Sequence, residues 1–283
     1  MRVGLITPRP DHPLLAATAV LLTDAGHQVL VHDPSSAHTE SEQPDTGPVA
    51  DVYLLKARTP RALALARVLE RRGARVLNSA ASTTLLQDRA VMADVARSAG
   101  LPFARTTAFA TLTELAAGPA PAGPVVVKSR HSRKDDLVVR VDNPAELRRL
   151  AEQHPHEPVV VQEFVPNDGW DEKLWAVGRQ VFAARRRSEL AREDLGSPPP
   201  PLDRTDLVRR VGEVFALQVY GVDVVGAREG TPLIVDINAF PGVRGQAGAP
   251  EALAALVLDA CGKAPATLPA YRPRAQPTTP DSP

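Results

Sequence analysis

The chain has 283 residues, with 33 Lys and Arg against 33 Asp and Glu, no formal net charge and 43% apolar residues. That length supports two or more packed lobes, and the apolar share excludes a wholly disordered chain. Neutrality argues against a dedicated nucleic-acid binder, which needs surplus Lys and Arg to displace counterions from phosphates.

A single cysteine, Cys261, excludes an internal disulfide. The opening MRVGLITPRP reads as a first strand rather than an export signal, so the cytoplasm is the expected compartment. No window reaches the roughly 20 apolar residues of a spanning helix, so no membrane association is expected. Five of the 33 cations are lysines (Lys56, Lys128, Lys134, Lys173, Lys263). In so arginine-rich a chain, a lysine where phosphate chemistry wants a compact ammonium is informative.

Strand and helix alternate through the first hundred residues. Val3 to Thr7 predicts a strand, an Ala/Leu-rich stretch to Ala25 a helix, and QVLVHD a second strand. After a polar stretch from Pro34 to Pro48, DVYLLK is a strand, Pro60 opens a helix that Gly73 closes, and ARVLN is a fourth strand. Such alternation predicts a parallel sheet with helices on both faces. No G-x-G-x-x-G follows the first strand, which argues against a dinucleotide site there. SAASTTLLQDRAVMADVARSAG predicts a helix or helix pair ending at Gly100. The pattern then becomes α+β: helix TLTELAAG, strands PVVVKS and DLVVRV, a helix capped by Asn143, and strand PVVVQEFV. A hairpin across Gly178, an amphipathic helix over DRTDLVRRVGEVFALQV, strands VYGVDVVGA and TPLIVDINAF and a last helix follow. The Pro/Thr-rich tail from Ala264 has the composition of a disordered segment.

Three segments carry chemistry. In IVDINAFPG, period-two alternation puts Asp236 and Asn238 on one strand face. Asp223, in an otherwise apolar neighbouring strand, must be paired, face a cleft or bind a cation. Together the three suit Mg²⁺, while Asp223 capping a turn and Asp236 meeting an arginine is the alternative. In VVVKS, Lys128 projects from a strand end, either toward a bound phosphate or into solvent. In VVVQEFVPNDGW, a strand edge runs into a turn whose backbone groups can read a planar base.

In that order, the segments resemble the ATP-grasp superfamily, most closely its carboxylate–amine ligases of the ribosomal-protein-S6-modifying type. The resemblance runs from residue 1 to about 262, with NS…DR…AGLP…T and VDINAFPG its most specific parts. It implies a mixed α/β and α+β fold in three lobes: a Rossmann-like pre-ATP-grasp lobe over 1–100, a small central lobe over 101–166 and a C-terminal lobe over 167–262, with a tail over 263–283.

The same resemblance implies ATP and Mg²⁺, two ions with Mn²⁺ able to substitute, held by Asp223, Asp236 and Asn238. Lys128 and Arg89, the latter where many relatives carry a lysine, would meet the phosphates. Glu163, Phe164 and Val165 would form the adenine hinge, and Asp171 would meet the ribose. Lys173, with Arg185 or Arg186, would face the γ-phosphate and an acyl phosphate. Arg244, in the loop FPGVRGQAG, either meets a substrate carboxylate or is a solvated loop arginine. The partners implied are small carboxylate and amine substrates and a possible second copy in a homodimer.

Two departures stand out. SRHSRKDD lacks the glycines usual in the phosphate loop, so Arg130, His131, Arg133 and Lys134 form either a cationic lid or a solvated loop balanced by Asp135 and Asp136. Asp236 stands where many such ligases have glutamate, a form also similar to inositol polyphosphate kinases. A small-molecule kinase, or a nucleotide-binding regulator without catalysis, therefore stays open beside the ligase.

Overall fold

The computed structural model describes residues 1–36, 48–133, 135–166, 169–188, 190, 203–226 and 232–262. The expected disordered tail and part of the polar stretch before residue 48 lie outside these.

Strands β1 (Arg2–Ile6), β2 (Gln28–His32), β3 (Val52–Leu55) and β4 (Arg75–Leu77) form a parallel sheet in the order β2-β1-β3-β4. Their buried residues divide by the pleat: Val52 and Leu54 face one core, Tyr53 and Leu55 the other. Helix α1 (Pro13–Asp24) covers the first face and α2 (Pro60–Arg71) the second, so the expected two-sided covering is present. Pro60 occupies the first turn of α2, where its missing N–H costs nothing, and the Thr59 side chain caps the Ala62 N–H.

The helical stretch that follows is a pair, α3 (Ala80–Leu85) and α4 (Arg89–Ser98). The carboxylate of Asp88 caps α4 by accepting from the Ala90 and Val91 N–H groups, and it also takes a two-pronged bond from Arg130. The cap is therefore tied to the loop after a distant strand, and Arg89 is set at that junction.

β5 (Thr106–Phe109), α5 (Leu112–Ala117), β6 (Val125–Ser129), β7 (Val138–Val141), α6 (Pro144–Gln153) and β8 (Val159–Glu163) make an antiparallel sheet, β5-β8-β6-β7, with an apolar core under the two helices. Asn143 caps α6 as the sequence predicts.

The last sheet, β10-β9-β11-β12, joins β9 (Trp170–Val177), β10 (Gln180–Arg187), β11 (Val219–Gly226) and β12 (Pro232–Ala239), all antiparallel. Gly178 turns the β9–β10 hairpin at φ 58°. Leu174 and Ala176 pack on α7 (Thr205–Phe215), while Trp175 and Val177 share a core with α1 and α8 (Ala249–Ala260). That shared core fuses the first and last sheets. Buried Asn78 adds polar stitching: its amide donates to the Val219 carbonyl at 2.6 Å and accepts from the Gln218 and Val219 N–H groups. Among the described residues, no helix is long and apolar enough to cross a membrane.

Candidate functional site

A cleft of about 330 Å³ lies between the β5–β8 sheet and the β9–β12 sheet. Its lining is segregated. Val126, Val138, Phe164, Val165 and Val225 make an apolar slot, and Lys128, Lys173, Asp171, Arg186, Asp223 and Asp236 make a charged end. A slot for a planar ring beside a charged floor suits a nucleotide.

The charged end depends on a β-bulge. Asp223 pairs with Asp236 but Val224 pairs with Ile234, so Val235 is an extra residue on β12. An unbroken strand would aim Asp236 the same way as Ile234, into the apolar core. The bulge changes the phase, leaving Ile234 and Ile237 in the core while Asp236 faces the cleft. It also frees the Val235 carbonyl, which accepts from Lys128 Nζ at 2.8 Å. Asn238 lies on the Asp236 face one pleat further, half-buried opposite Gly221 and outside the cleft lining.

Asp223 and Asp236 sit side by side, and each draws a protein cation. Lys173 pairs with Asp223 across β9 and β11. Arg89, itself buried, reaches Asp136 at 2.6 Å, the Ser129 carbonyl at 2.8 Å and Asp236 at 3.4 Å. Burial raises the Asp223 carboxyl above the ordinary range, with Lys173 opposing the rise and Asp236 adding to it. Burial acts likewise on Asp236, but Arg89, Lys128 and Lys173 outweigh it and hold that carboxyl below the ordinary range. Burial also lowers the Lys128 ammonium against the pull of Asp236.

This donor set fits a divalent cation. Two adjacent carboxylates disfavour each other's charge, and an amide follows on the same face. Among the described residues no group of three His, Cys, Asp or Glu is gathered for a metal. Phosphate oxygens and water would therefore complete the shell, as is usual for Mg²⁺.

Other expected site residues fall less uniformly. Arg186 lines the cleft, on the face of Asp171 and Lys173. Arg185 is on the opposite face, where it and Arg204 approach the fully buried Glu172 at 3.8 and 3.2 Å, so the structure separates the two arginines that the sequence left interchangeable. Glu163, Phe164 and Val165 all line the slot. The Phe164 N–H is already bonded to the Pro124 carbonyl at 3.1 Å, and Arg140 stacks 3.8 Å from the Phe164 ring centre. Arg244 is not at this cleft; it flanks Gly242 beside His12.

The glycine-free loop is largely solvated, with His131, Arg133 and Asp135 exposed, but its described arginines are balanced mainly from outside the loop. Arg130 bonds to Asp88 and Arg133 to Glu157 at 2.8 Å each, while Asp136 takes Arg89; Lys134 lies outside the described residues. Both described arginines of the loop bind protein acids outside it. Sequence reading named Asp136 only as a charge balancing its own loop and missed Arg140; each acquires its role here from a partner at least two dozen residues away.

Neither a protein-family model nor a curated protein matches the sequence. Solved structures do. The RimK-domain ATP-grasp protein of Sphaerobacter thermophilus superposes with a TM-score of 0.70 at 24% identity, over 92% of this chain and 99% of that one. The macrocyclase MdnC of Microcystis aeruginosa, bound with precursor peptide MdnA, gives 0.66 at 16%, over 92% and 100%. The ATP-grasp ligase PsnB, solved with minimal precursor, Mg and ADP, gives 0.66 at 18%, over 92% and 97%. The match over nearly full lengths, with the cleft between the antiparallel sheets, establishes that this chain has the ATP-grasp fold.

Proposed function

We propose that the protein is an ATP-dependent carboxylate–amine ligase. The observation that carries this reading is the cleft itself: an apolar slot leading to paired carboxylates and lysines, on the fold that similar ligases use. The adenine would lie against Val126, Val138 and Val225 and meet the backbone at Glu163 and Val165, with Asp171 at the ribose. Asp223, Asp236 and Asn238 would hold Mg²⁺, which supplies charge neutralisation of the phosphates when bound.

Lys128 and Arg89 neutralise and orient the nucleotide's phosphates, and Lys173 with Arg186 meets the group in transit. The substrate carboxylate oxygen attacks the γ-phosphorus, the bond from that phosphorus to the bridging oxygen breaks, and ADP leaves. The amine then attacks the acyl phosphate carbon, a C–N bond forms, phosphate departs and the amine proton goes to solvent. At an effective dielectric near 20, a charge pair at about 4 Å is worth about 4 kcal/mol, so positioned cations can supply most of the assistance the transfer needs. The small central lobe closing over the cleft would keep water from the acyl phosphate.

Measuring ADP and phosphate release over a panel of acids and amines tests the reading. Equal ADP and phosphate release that requires both an acid and an amine is expected. Turnover of a polyol to ADP without free phosphate would replace the ligase by a kinase.

A further inference from the structure

The loops after β1, β3 and β12 converge at one end of the parallel sheet. The Lys56 and Ala57 N–H groups both donate to the Ile6 carbonyl at 3.1 Å, which closes the ends of β3 and β1 together. From β1 the chain runs through α1 to β2 on one side, while β3 lies on the other side of β1, and α1 and α2 cover opposite faces. A crevice opens beyond strand ends where the order reverses in this way.

Arg9 and His12 come from the first loop, Lys56 and Arg58 from the second, and Arg244 from the third. Lys56 Nζ lies 5.8 Å from the centre of the Phe240 ring. A methyl placed on Gly242 would meet His12 Nε2 and Arg244 Nε at 3.5 Å each, so those side chains flank that glycine. The balance of charge is one-sided. Arg9 has Asp11 at 3.9 Å in solvent, whereas Lys56, Arg58 and Arg244 have no carboxylate partner among the described residues. His12 is only 9% exposed, and its buried Nδ1 has no hydrogen-bond partner. Burial first, then Arg58, Arg244 and Arg9, pull the Lys56 ammonium down to about 8. Burial, then Lys56, Arg244 and Arg9, lower the His12 imidazole against the opposing pull of Asp11, and the neutral ring still carries one N–H to donate.

Cations held together without an acid repel one another, and a bound anion removes that cost. We propose that this crevice binds a second anionic group of the acid substrate, so that the preferred acid is a dianion with one carboxylate activated beside Asp236 and another anion held by Lys56, His12 and Arg244. The proposal rests on the ligase reading. Phe240 follows Asp236 by four residues, so at about 3.3 Å per residue their backbones are up to about 13 Å apart along the chain. An extended diacid or a short acidic peptide spans such a gap.

Calorimetry on the whole protein with ADP and magnesium tests it, using α,ω-dicarboxylates from glutarate to suberate, ω-phosphono acids and monocarboxylates of matching lengths. At least one diacid or phosphono acid should bind about tenfold or more tightly than its monocarboxylate counterpart, and the better of the two identifies the second group as carboxylate or phosphate. Lys56→Met, and separately Arg244→Ala in its exposed loop, should abolish that preference while ADP affinity stays within twofold. Equal affinities across every matched set, or a preference that survives both substitutions, would overturn the subsite. Failure of the ligase reading shows differently, as absence of amine-dependent phosphate release while the binding preference persists.

Discussion

Two cation-rich regions of this protein are built differently. In the cleft, Lys173 faces Asp223, and Arg89 faces Asp136 and Asp236. At the ends of β1 and β3, Lys56 lies in the repulsive field of Arg58, Arg244 and Arg9. The first arrangement is balanced before any ligand arrives, which suits a site that takes up a metal and polyphosphate together: anion and cation enter, and the net charge changes little. The second has no carboxylate partner for Lys56, Arg58 or Arg244 among the described residues, and an incoming anion, or loss of the Lys56 proton, relieves it. Density of positive charge is therefore a poor guide to what binds; the presence or absence of protein acids beside it discriminates.

Substitutions can sharpen or break that contrast. The largest effect is expected from Asp236→Ala, which should lower the rate of phosphate release about a hundredfold or more and weaken the dependence on magnesium concentration, measured by a coupled phosphate assay. Normal turnover in that variant would remove the metal site from the cleft. Lys173→Met should lower kcat about tenfold or more with a smaller change in nucleotide affinity, because its partner Asp223 and the phosphate in transit lose one shared cation.

On the other side of the comparison, Lys56→Met should raise the KM for the acid about tenfold and leave kcat nearly unchanged, since it touches a part of the substrate that does not react. The sign of its pH dependence follows from Lys56 being depressed to about 8 by burial and by Arg58, Arg244 and Arg9. Below that pH the ammonium is present and attracts the anion; above it, affinity for a diacid should fall. Lys56→Arg should flatten the profile over pH 7 to about 9, because a guanidinium does not titrate there.

The smallest effect is a control distant from both regions. Asn143→Ala removes the side chain that accepts from the Ala145 and Glu146 N–H groups. It should lower unfolding stability by about 1 kcal/mol in denaturant titration and leave both sets of affinities in place.

Much of this architecture is legible locally. Pro60 and Gly73 bracket a helix, Asn143 opens another, and Gly178 turns a hairpin, because each acts through the φ, hydrogen-bonding or capping chemistry of a few neighbouring residues. The apolar runs around Lys128, Asp223 and Asp236 likewise mark strands whose polar residues require a reason to be there. Other properties are set by pairing between distant segments. Alternation says that Arg185 and Arg186 face opposite ways, but only the register against Asp171 and Glu172 says which one enters the cleft. Alternation also puts Asp236 on the face of Ile234; the bulge at Val235 reverses this and leaves a carbonyl free for Lys128.

The amino-acid order by itself determined the succession of strands and helices and the residue types available for phosphate and metal chemistry, since periodicity and turn chemistry act over a few residues. Tertiary structure alone decided that Arg89 is held between Asp136 and Asp236, that the loop arginines are spent on Asp88 and Glu157, and that Arg9, His12, Lys56, Arg58 and Arg244 gather beyond one sheet end. These are meetings of side chains from separate elements, and they arise when register, bulge and crossover bring residues together that no local pattern connects.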